Sequence, residues 1–509
     1  MNQTGSKTNK KPKKNLKHFT LLHSNDIHGK FTGKLDEDGR MTGSLAQVAG
    51  YVNAVKEENP DTLYCIAGDV FQGSLIDSDF QGLSTMEILN MLPIDIMSLG
   101  NHELDYGISH MLFVDKCADF PIVNANFRIR TNGSHMFDPY KIIEVGGLKI
   151  LFIGLLTQNI VDQTKAEGLV GTFVTVDEPA DEVKRITTMI REQGISVDYT
   201  ILLTHIGYEA DLELAAAVDP ECKVDLIVGG HSHTYLDEPP IINDMLIVQA
   251  GMEDTHIGRL DVIIDVDHRE IDSWTWQMVP VDEDHCPEDK LVKALVGTYE
   301  FEIDAKYSQV VTRLARKLDN YGRGNATELG QLYADVFCDA LNLDAMLLAS
   351  SSTRCYYLDM TVTLQDLRES YPYDGKIYKL ALSGSQIRRM MKHCLRDEVI
   401  VNWKETFYHI SKSMHVIYNY DTGDISITIN GKELQDDEIY QIGLQEFYFA
   451  NSEIGFGMTN EELQEHGEAR VASSDAFGTL REYLSSNKNL GGPIDNRLII
   501  KGKVPKHTK

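Results

Sequence analysis

Phe19-Thr20-Leu21-Leu22-His23-Ser24-Asn25-Asp26-Ile27-His28-Gly29 is a short apolar run that stops on an Asp-x-His pair. The run Phe19–Ser24 reads as a strand, with its polar residues gathered at the C-terminal end. The same figure recurs through the first half of the chain. Thr62–Ala67 leads into Gly68-Asp69. Asp95–Leu99 leads into Gly100-Asn101-His102-Glu103, with Asp105 just beyond. Tyr199–Thr204 ends on His205, and Val224–Val228 on Gly229-Gly230-His231-Ser232-His233. Pro121–Asn124, Lys149–Leu155 and Leu246–Ala250 are further strand candidates. Several of these runs are nearly continuously apolar, as strands covered on both faces are. The spacers between them are long enough for helices. The expectation is a layered α/β architecture. In open α/β sheets the ligand sites lie at the C-terminal ends of the strands. The recurring polar residues are therefore expected to converge.

Their chemistry is that of divalent-metal ligands. Asp, His and Asn supply the oxygen and imidazole donors suited to Mn, Zn, Co or Fe. The set is too large for one ion and about right for two. A natural arrangement gives one ion Asp26, His28 and His233, and the other Asn101, His205 and His231, with Asp69 as the bridge. Two such ions roughly 3.5–4 Å apart clamp a phosphoryl group and ionise a water. His102 follows a ligand directly. Asp105, three residues on, can reach back to it if the segment turns helically. A carboxylate partner fixes the imidazole tautomer and favours its charged form. That suits stabilisation of phosphoryl charge or protonation of a leaving oxygen.

In this order, N-D-I-H-G (Asn25–Gly29), A-G-D-V-F-Q-G-S (Ala67–Ser74), G-N-H-E-L-D-Y-G (Gly100–Gly107), T-H-I-G (Thr204–Gly207) and G-G-H-S-H-T (Gly229–Thr234) resemble the metallophosphoesterase domain of the 5′-nucleotidase family. V-Q-A-G (Val248–Gly251) and I-G-R-L-D-V (Ile257–Val262) extend the match, which runs over roughly residues 18 to 502. The resemblance implies a dinuclear centre on Asp26, His28, Asp69, Asn101, His205, His231 and His233, with His102 catalytic and oriented by Asp105. It also implies substrate recognition by the second half. There the family's glycine triplet before Ile-Arg is replaced by Ser350-Ser351-Ser352-Thr353-Arg354, and its P-F-G-N by Pro372-Tyr373-Asp374-Gly375. Its G-G-D-G-F becomes Ser452-Glu453-Ile454-Gly455-Phe456, with Ile454 where the family has a ribose-contacting Asp. Arg354, Tyr408, Tyr448 and Phe456 are the implied substrate contacts, the two tyrosines as rings that sandwich a base. The implied reaction is release of phosphate from a nucleoside monophosphate by a metal-bound hydroxide. The alternatives are a nucleotide-sugar or 2′,3′-cyclic-nucleotide phosphodiesterase, a non-nucleotide phosphatase, and a catalytically silent nucleotide-binding protein.

With a net charge of −29, an anionic substrate needs a local positive centre such as bound metal ions. The 509 residues exceed one ordinary core. Residues 1–17 carry six lysines and read as a disordered basic tail, 18–285 as the metallophosphoesterase domain, 286–324 as a linker helix and loop, and 325–503 as a smaller α+β substrate-binding domain. The helix from Glu288 to about Lys306 is expected to pack through Leu291, Leu295 and Tyr299. The next is expected to start on an Asn325/Glu328 capping box and to bury Leu329, Leu332, Tyr333, Val336, Phe337 and Ala340. Strands are expected at Met346–Ala349, Tyr378–Leu382, His415–Asn419, Ile425–Ile429 and Ile439–Leu444. A net charge of −29 disfavours nucleic-acid polymers and anionic membranes as partners. No apolar run reaches the roughly 18 residues of a membrane span. No apolar stretch follows the basic start, and the seven cysteines are scattered singly. Both point to a cytoplasmic location.

Overall fold

The computed structural model describes residues 14–35, 39–158, 174–322, 324–401 and 404–505. The chain divides into two compact units between Ile303 and Asp304.

The first unit is built on two six-stranded mixed sheets. One has the order Glu270–Pro280, His256–Asp265, Leu16–Ser24, Thr62–Ala67, Ile96–Ser98, Ile122–Val123. The other has the order Ile241–Ile242, Met245–Val248, Leu226–Val228, Tyr199–His205, Leu148–Leu156, Tyr140–Val145. Leu21, Cys65, Ala67 and Ile96 of the first sheet share one buried cluster with Phe152, Ile201, Leu203 and Val228 of the second. The sheets therefore pack face to face. The far side of the second sheet is covered by helices Pro179–Glu192 and Tyr208–Ala217. Pro179–Glu192 starts on a proline, carries Asp181 and Glu182 in its first turn, and buries Val183, Ile186 and Ile190 at helical spacing. The apolar runs read from the sequence are thus strands covered on both faces, by a second sheet on one side and helices on the other.

Parallel pairing brings the functional strand ends level. Ser24 lies opposite Ile66, and Ala67 opposite Ser98. In the second sheet Leu203 lies opposite Val228.

Three expectations need correction. Lys14–Lys17 do not belong to a tail: Leu16 and Lys17 pair with Asp265 and Ile264, and the Lys14 ammonium meets Asp272 at 2.5 Å. The polar side chains hide a strand that is held by its backbone. Residues 1–13 lie outside the described residues. The helix Lys290–Tyr307 buries Val292, Val296 and Ile303, whereas Leu291 is 69% exposed. Its packing face is rotated one residue from the expected stripe. The helix Glu328–Ala340 is capped by Thr327, whose hydroxyl accepts from Gly330 N at 3.1 Å. Glu328 is not free to close a capping box, because both its oxygens are engaged by Arg316. Leu329, Tyr333, Val336 and Phe337 are buried as expected, while Ala340 is exposed.

The second unit is α+β. Its five-stranded sheet runs Tyr408–Ile410, Ala345–Ala349, Ile439–Gln445, Ile377–Ser383, Arg470–Ser473. A four-stranded sheet runs Lys432–Glu433, Ile425–Ile429, Met414–Asn419, Leu498–Lys501. Helix Gly384–Cys394 buries Ile387, Met390, Met391 and Cys394 into the same core.

Candidate active site

Five of the seven candidate ligands hold a left-handed backbone: Asp26 (φ 54°), His28 (52°), Asp69 (54°), His231 (77°) and His233 (55°). Non-glycine residues rarely adopt this region, and such departures concentrate at functional sites. The strand ends are bent to aim these side chains at one point. Close backbone approach makes that possible. A Cβ on Gly230 would lie 2.5 Å from the Ala67 carbonyl and 2.8 Å from His205 Nδ1.

The side chains fall into overlapping groups. Asp26, His28 and His233 offer ligand atoms within 4.8 Å of one another, as do Asp69, His205 and His231, and also His28, Asp69 and His102. His28 Nε2 faces His233 Nε2 at 3.0 Å, and Asp26 Oδ1 is 3.8 and 3.3 Å from the two. His205 Nε2 is 3.0 Å from Asp69 Oδ2. His28 Nδ1–H donates to the carbonyls of Phe71 (3.2 Å) and Gln72 (3.1 Å), and His205 Nδ1–H donates to Ala67 O (2.8 Å). Carbonyl partners of this kind orient the ring so that Nε2 faces the cluster, the usual support of metal-ligating histidines. Asn101 Oδ1 is buried with no hydrogen-bond partner among the described residues. Two imidazole lone pairs face to face and an orphaned amide oxygen are poor neighbours as they stand. As donors converging on cations they are all satisfied, so the residues fit divalent metal.

Charge balance agrees. Burial would lower the His205 pKa, but Asp69 and Asp26 outweigh it and push it up to about 10. Burial would raise Asp69, yet His205, His102 and His28 hold it below the usual carboxylate range. A buried carboxylate pair of this kind demands positive charge.

His102 Nδ1–H donates to Asp105 Oδ2 at 2.8 Å, on a short 3-10 turn, His102–Leu104, that places residues three apart on one side. The pair is as read from the sequence. Burial lowers the His102 pKa, but the Asp105 hydrogen bond and the charge of Asp69 more than offset it.

Three supporting residues carried no assigned role in the sequence. Glu103 is buried and accepts from the amides of Asp69 (3.0 Å), Val70 (2.7 Å), Phe71 (3.3 Å) and Gly100 (2.6 Å). It cradles the turn that carries Asp69. Asn25 donates to Asp26 Oδ2 and Gly251 O, both at 2.7 Å. Gln249 accepts from Thr234 N and from Ser232 Oγ and donates to Gly230 O, so it frames the His231–His233 segment. Each lies inside a motif quoted above. Position beside a ligand was the available signal.

Residues 19–235 match the calcineurin-like phosphoesterase family, which uses divalent metals, and residues 306–461 match the 5′-nucleotidase C-terminal domain. The two matches stand in tandem and together take in well over half of the chain. The chain joins a calcineurin-like phosphoesterase domain to a 5′-nucleotidase C-terminal domain. It is 24% identical to the 5′-nucleotidase of Mus musculus, over 94% of this chain and 90% of that protein. It is 28% identical to the endonuclease YhcR of Bacillus subtilis over 73% of this chain but only 32% of that protein, so it spans about a third of that relative's length. The fold is that of the 5′-nucleotidase precursor of Thermus thermophilus, with a TM-score of 0.62 at 22% identity over 96% of this chain and all of that one.

The implied substrate residues sit in the second unit. Arg354 is exposed, and its Nε donates to Tyr373 Oη at 2.6 Å. The Tyr448 hydroxyl meets Ser351 Oγ at 2.5 Å. Tyr408 (4% exposed) and Phe456 (0%) belong to the hydrophobic core. The Tyr408 and Tyr448 rings meet edge to face, 5.4 Å apart at 80°. The open slot expected between them is closed in this structure, because the Tyr408 side chain is buried in the core and packs against Phe456 at 5.0 Å.

Proposed function

We propose that this chain hydrolyses phosphate esters at a dinuclear divalent-metal centre, with nucleoside monophosphates as the substrate class. The observation that carries the reading is the convergence of left-handed Asp26, His28, Asp69, His231 and His233 with His205 at the ends of two facing sheets, together with the buried Asn101 Oδ1 that finds no hydrogen-bond partner among the described residues. One ion would be held by Asp26, His28 and His233 and the other by Asn101, His205 and His231, with Asp69 between them. Bound there, the pair supplies the Lewis acid that polarises the phosphoryl group and the acidity that readies a water for attack. Asp26 and Asp69 supply the negative charge that retains cations in a buried site. His28 and His205 hold their Nε2 atoms in place through Nδ1–H bonds to backbone carbonyls. His102, with Nδ1 committed to Asp105, keeps Nε2 available to donate to a phosphoryl or leaving oxygen.

Recognition of the remainder of the substrate is assigned to the second unit. Arg354 offers a planar guanidinium steadied by Tyr373 for an anionic group. Tyr448 is the half-buried ring available for stacking. Ile454 is 63% exposed and carries no acceptor for a ribose hydroxyl, which supports tolerance at the sugar. A panel of nucleoside mono-, di- and 2′,3′-cyclic phosphates, nucleotide sugars and p-nitrophenyl phosphate, each with Mn, Zn, Co and Mg, tests the reading. Monophosphates turning over fastest supports it. Turnover confined to cyclic phosphates or sugar nucleotides reassigns the substrate, and no turnover with any metal refutes the chemistry.

A further inference from the structure

Asp77 stands on the short helix Leu75–Asp79, outside every group given a role above. Its carboxylate is fully buried. Oδ2 accepts from Gln72 N and from Tyr106 Oη, both at 2.8 Å, and Oδ1 accepts from Thr85 Oγ1 at 2.6 Å. Three donors therefore come from three separate segments.

Two of those segments bear directly on the site. The Phe71 and Gln72 carbonyls receive His28 Nδ1–H. Gln72 itself sits at φ 68°, and a Cβ on Gly73 would lie 2.3 Å from His28 O. This turn is therefore pressed against His28 in a conformation that needs an external tie. Tyr106 follows Asp105, the carboxylate that holds His102, and its ring packs 6.1 Å from Phe71. Thr85, on the helix Leu83–Leu89, anchors the carboxylate from behind.

We infer that Asp77 is a positioning residue that, through Gln72 N and the Tyr106 hydroxyl, locks the turn orienting His28 to the turn carrying His102 and Asp105. The inference rests on the proposed phosphoester chemistry for the roles of His28 and His102. The lock sets the separation between a ligand of one ion and the imidazole that serves the phosphoryl group; their ring centroids lie 5.4 Å apart. An apolar side chain at 77 would fill the volume but take this acceptor away from the Gln72 amide, the Tyr106 hydroxyl and the buried Thr85 hydroxyl.

Two variants isolate the lock. Tyr106→Phe keeps the ring packing and removes one hydrogen bond. Asp77→Asn keeps the volume and removes the charge. Metal-free protein is titrated with Co(II), the visible absorption is recorded without substrate, and p-nitrophenyl phosphate turnover is then measured. Both variants are expected to bind Co(II) several-fold more weakly with shifted absorption bands. Their kcat should fall about tenfold with KM unchanged, since displacement of about an ångström at a reacting centre costs up to ~100-fold. Wild-type spectra and kcat in both variants, with a lowered Tm as the one change, would make Asp77 purely structural and overturn the inference. If Asp77→Asn fails to fold, Tyr106→Phe decides alone. The spectrum needs no turnover. A shifted spectrum in a chain that hydrolyses no ester would therefore refute the phosphoesterase reading while upholding the lock on His28.

Discussion

Gly100→Ala is the sharpest steric probe of the site. Gly100 does not lie in the left-handed region, so alanine meets no conformational objection there. Its added Cβ would lie 2.3 Å from both Asp69 N and Asp69 Oδ1 and 2.7 Å from Glu103 Oε2, where real Cβ contacts essentially never fall under 3.0 Å. Asp69 has little room to yield. Its Oδ1 accepts from His102 N at 2.9 Å, and its amide is held by Glu103. The proposed bridge must therefore move by the better part of an ångström. Overpacking of this kind costs about 1–3 kcal/mol of stability. A displacement of that size at the reacting centre costs about 100-fold in rate. Gly297→Ala is the matched control. It lies in the helix Lys290–Tyr307 with nothing within 4 Å of a Cβ, and is expected to be neutral or to stabilise by up to about 1 kcal/mol. Thermal unfolding, metal content and p-nitrophenyl phosphate turnover are measured on both. A Gly100→Ala protein with wild-type metal content and turnover would refute the bridging position of Asp69.

Other outcomes follow from the same geometry. His102→Ala should keep its metal and lose about 10²–10⁴ in kcat, with Asp105→Asn weaker in the same sense; loss of metal from His102→Ala would reassign it as a ligand. His23 and His409 are buried with both ring nitrogens unpartnered among the described residues, and burial lowers each from 6.5 to about 3. The folded state therefore binds fewer protons than the unfolded chain between those values, so stability is full above pH 6.5 and falls as pH drops towards 3. His23→Leu and His409→Leu should each flatten that acid slope in a plot of Tm against pH, and an unchanged slope in both refutes the assignment. Tyr408→Ala should destabilise the protein by about 3–5 kcal/mol, as loss of a core ring does, and unchanged thermal unfolding would return Tyr408 to the ligand surface.

The site was legible in the sequence because its ligands terminate strands, and strand ends are marked by composition. Asp26, Asp69 and His205 were placed by that rule alone. The sheet pairing was not legible. Apolar runs do not say whether a strand is covered by a helix or by a second sheet, and the hairpin of His256–Asp265 with Glu270–Pro280 carries polar residues along an exposed edge. Left-handed backbone at His231 and His233 follows from tertiary crowding around Gly230, which no local pattern encodes. Glu103 was visible as a residue but not as an acceptor of four amides, because three of its donors, Asp69, Val70 and Phe71, come from another strand end. Tyr408, 4% exposed, shows the converse: an aromatic at a position implied by resemblance does not reveal which face of its strand is buried.

Manganese titration of metal-free protein, with p-nitrophenyl phosphate turnover recorded at each equivalent, tests the dinuclear centre most directly. The wild-type chain should bind two ions and gain its full rate only with the second, while Asp69→Asn should bind fewer and stay inactive. Full activity after one equivalent, or full occupancy and turnover in Asp69→Asn, would contradict the account.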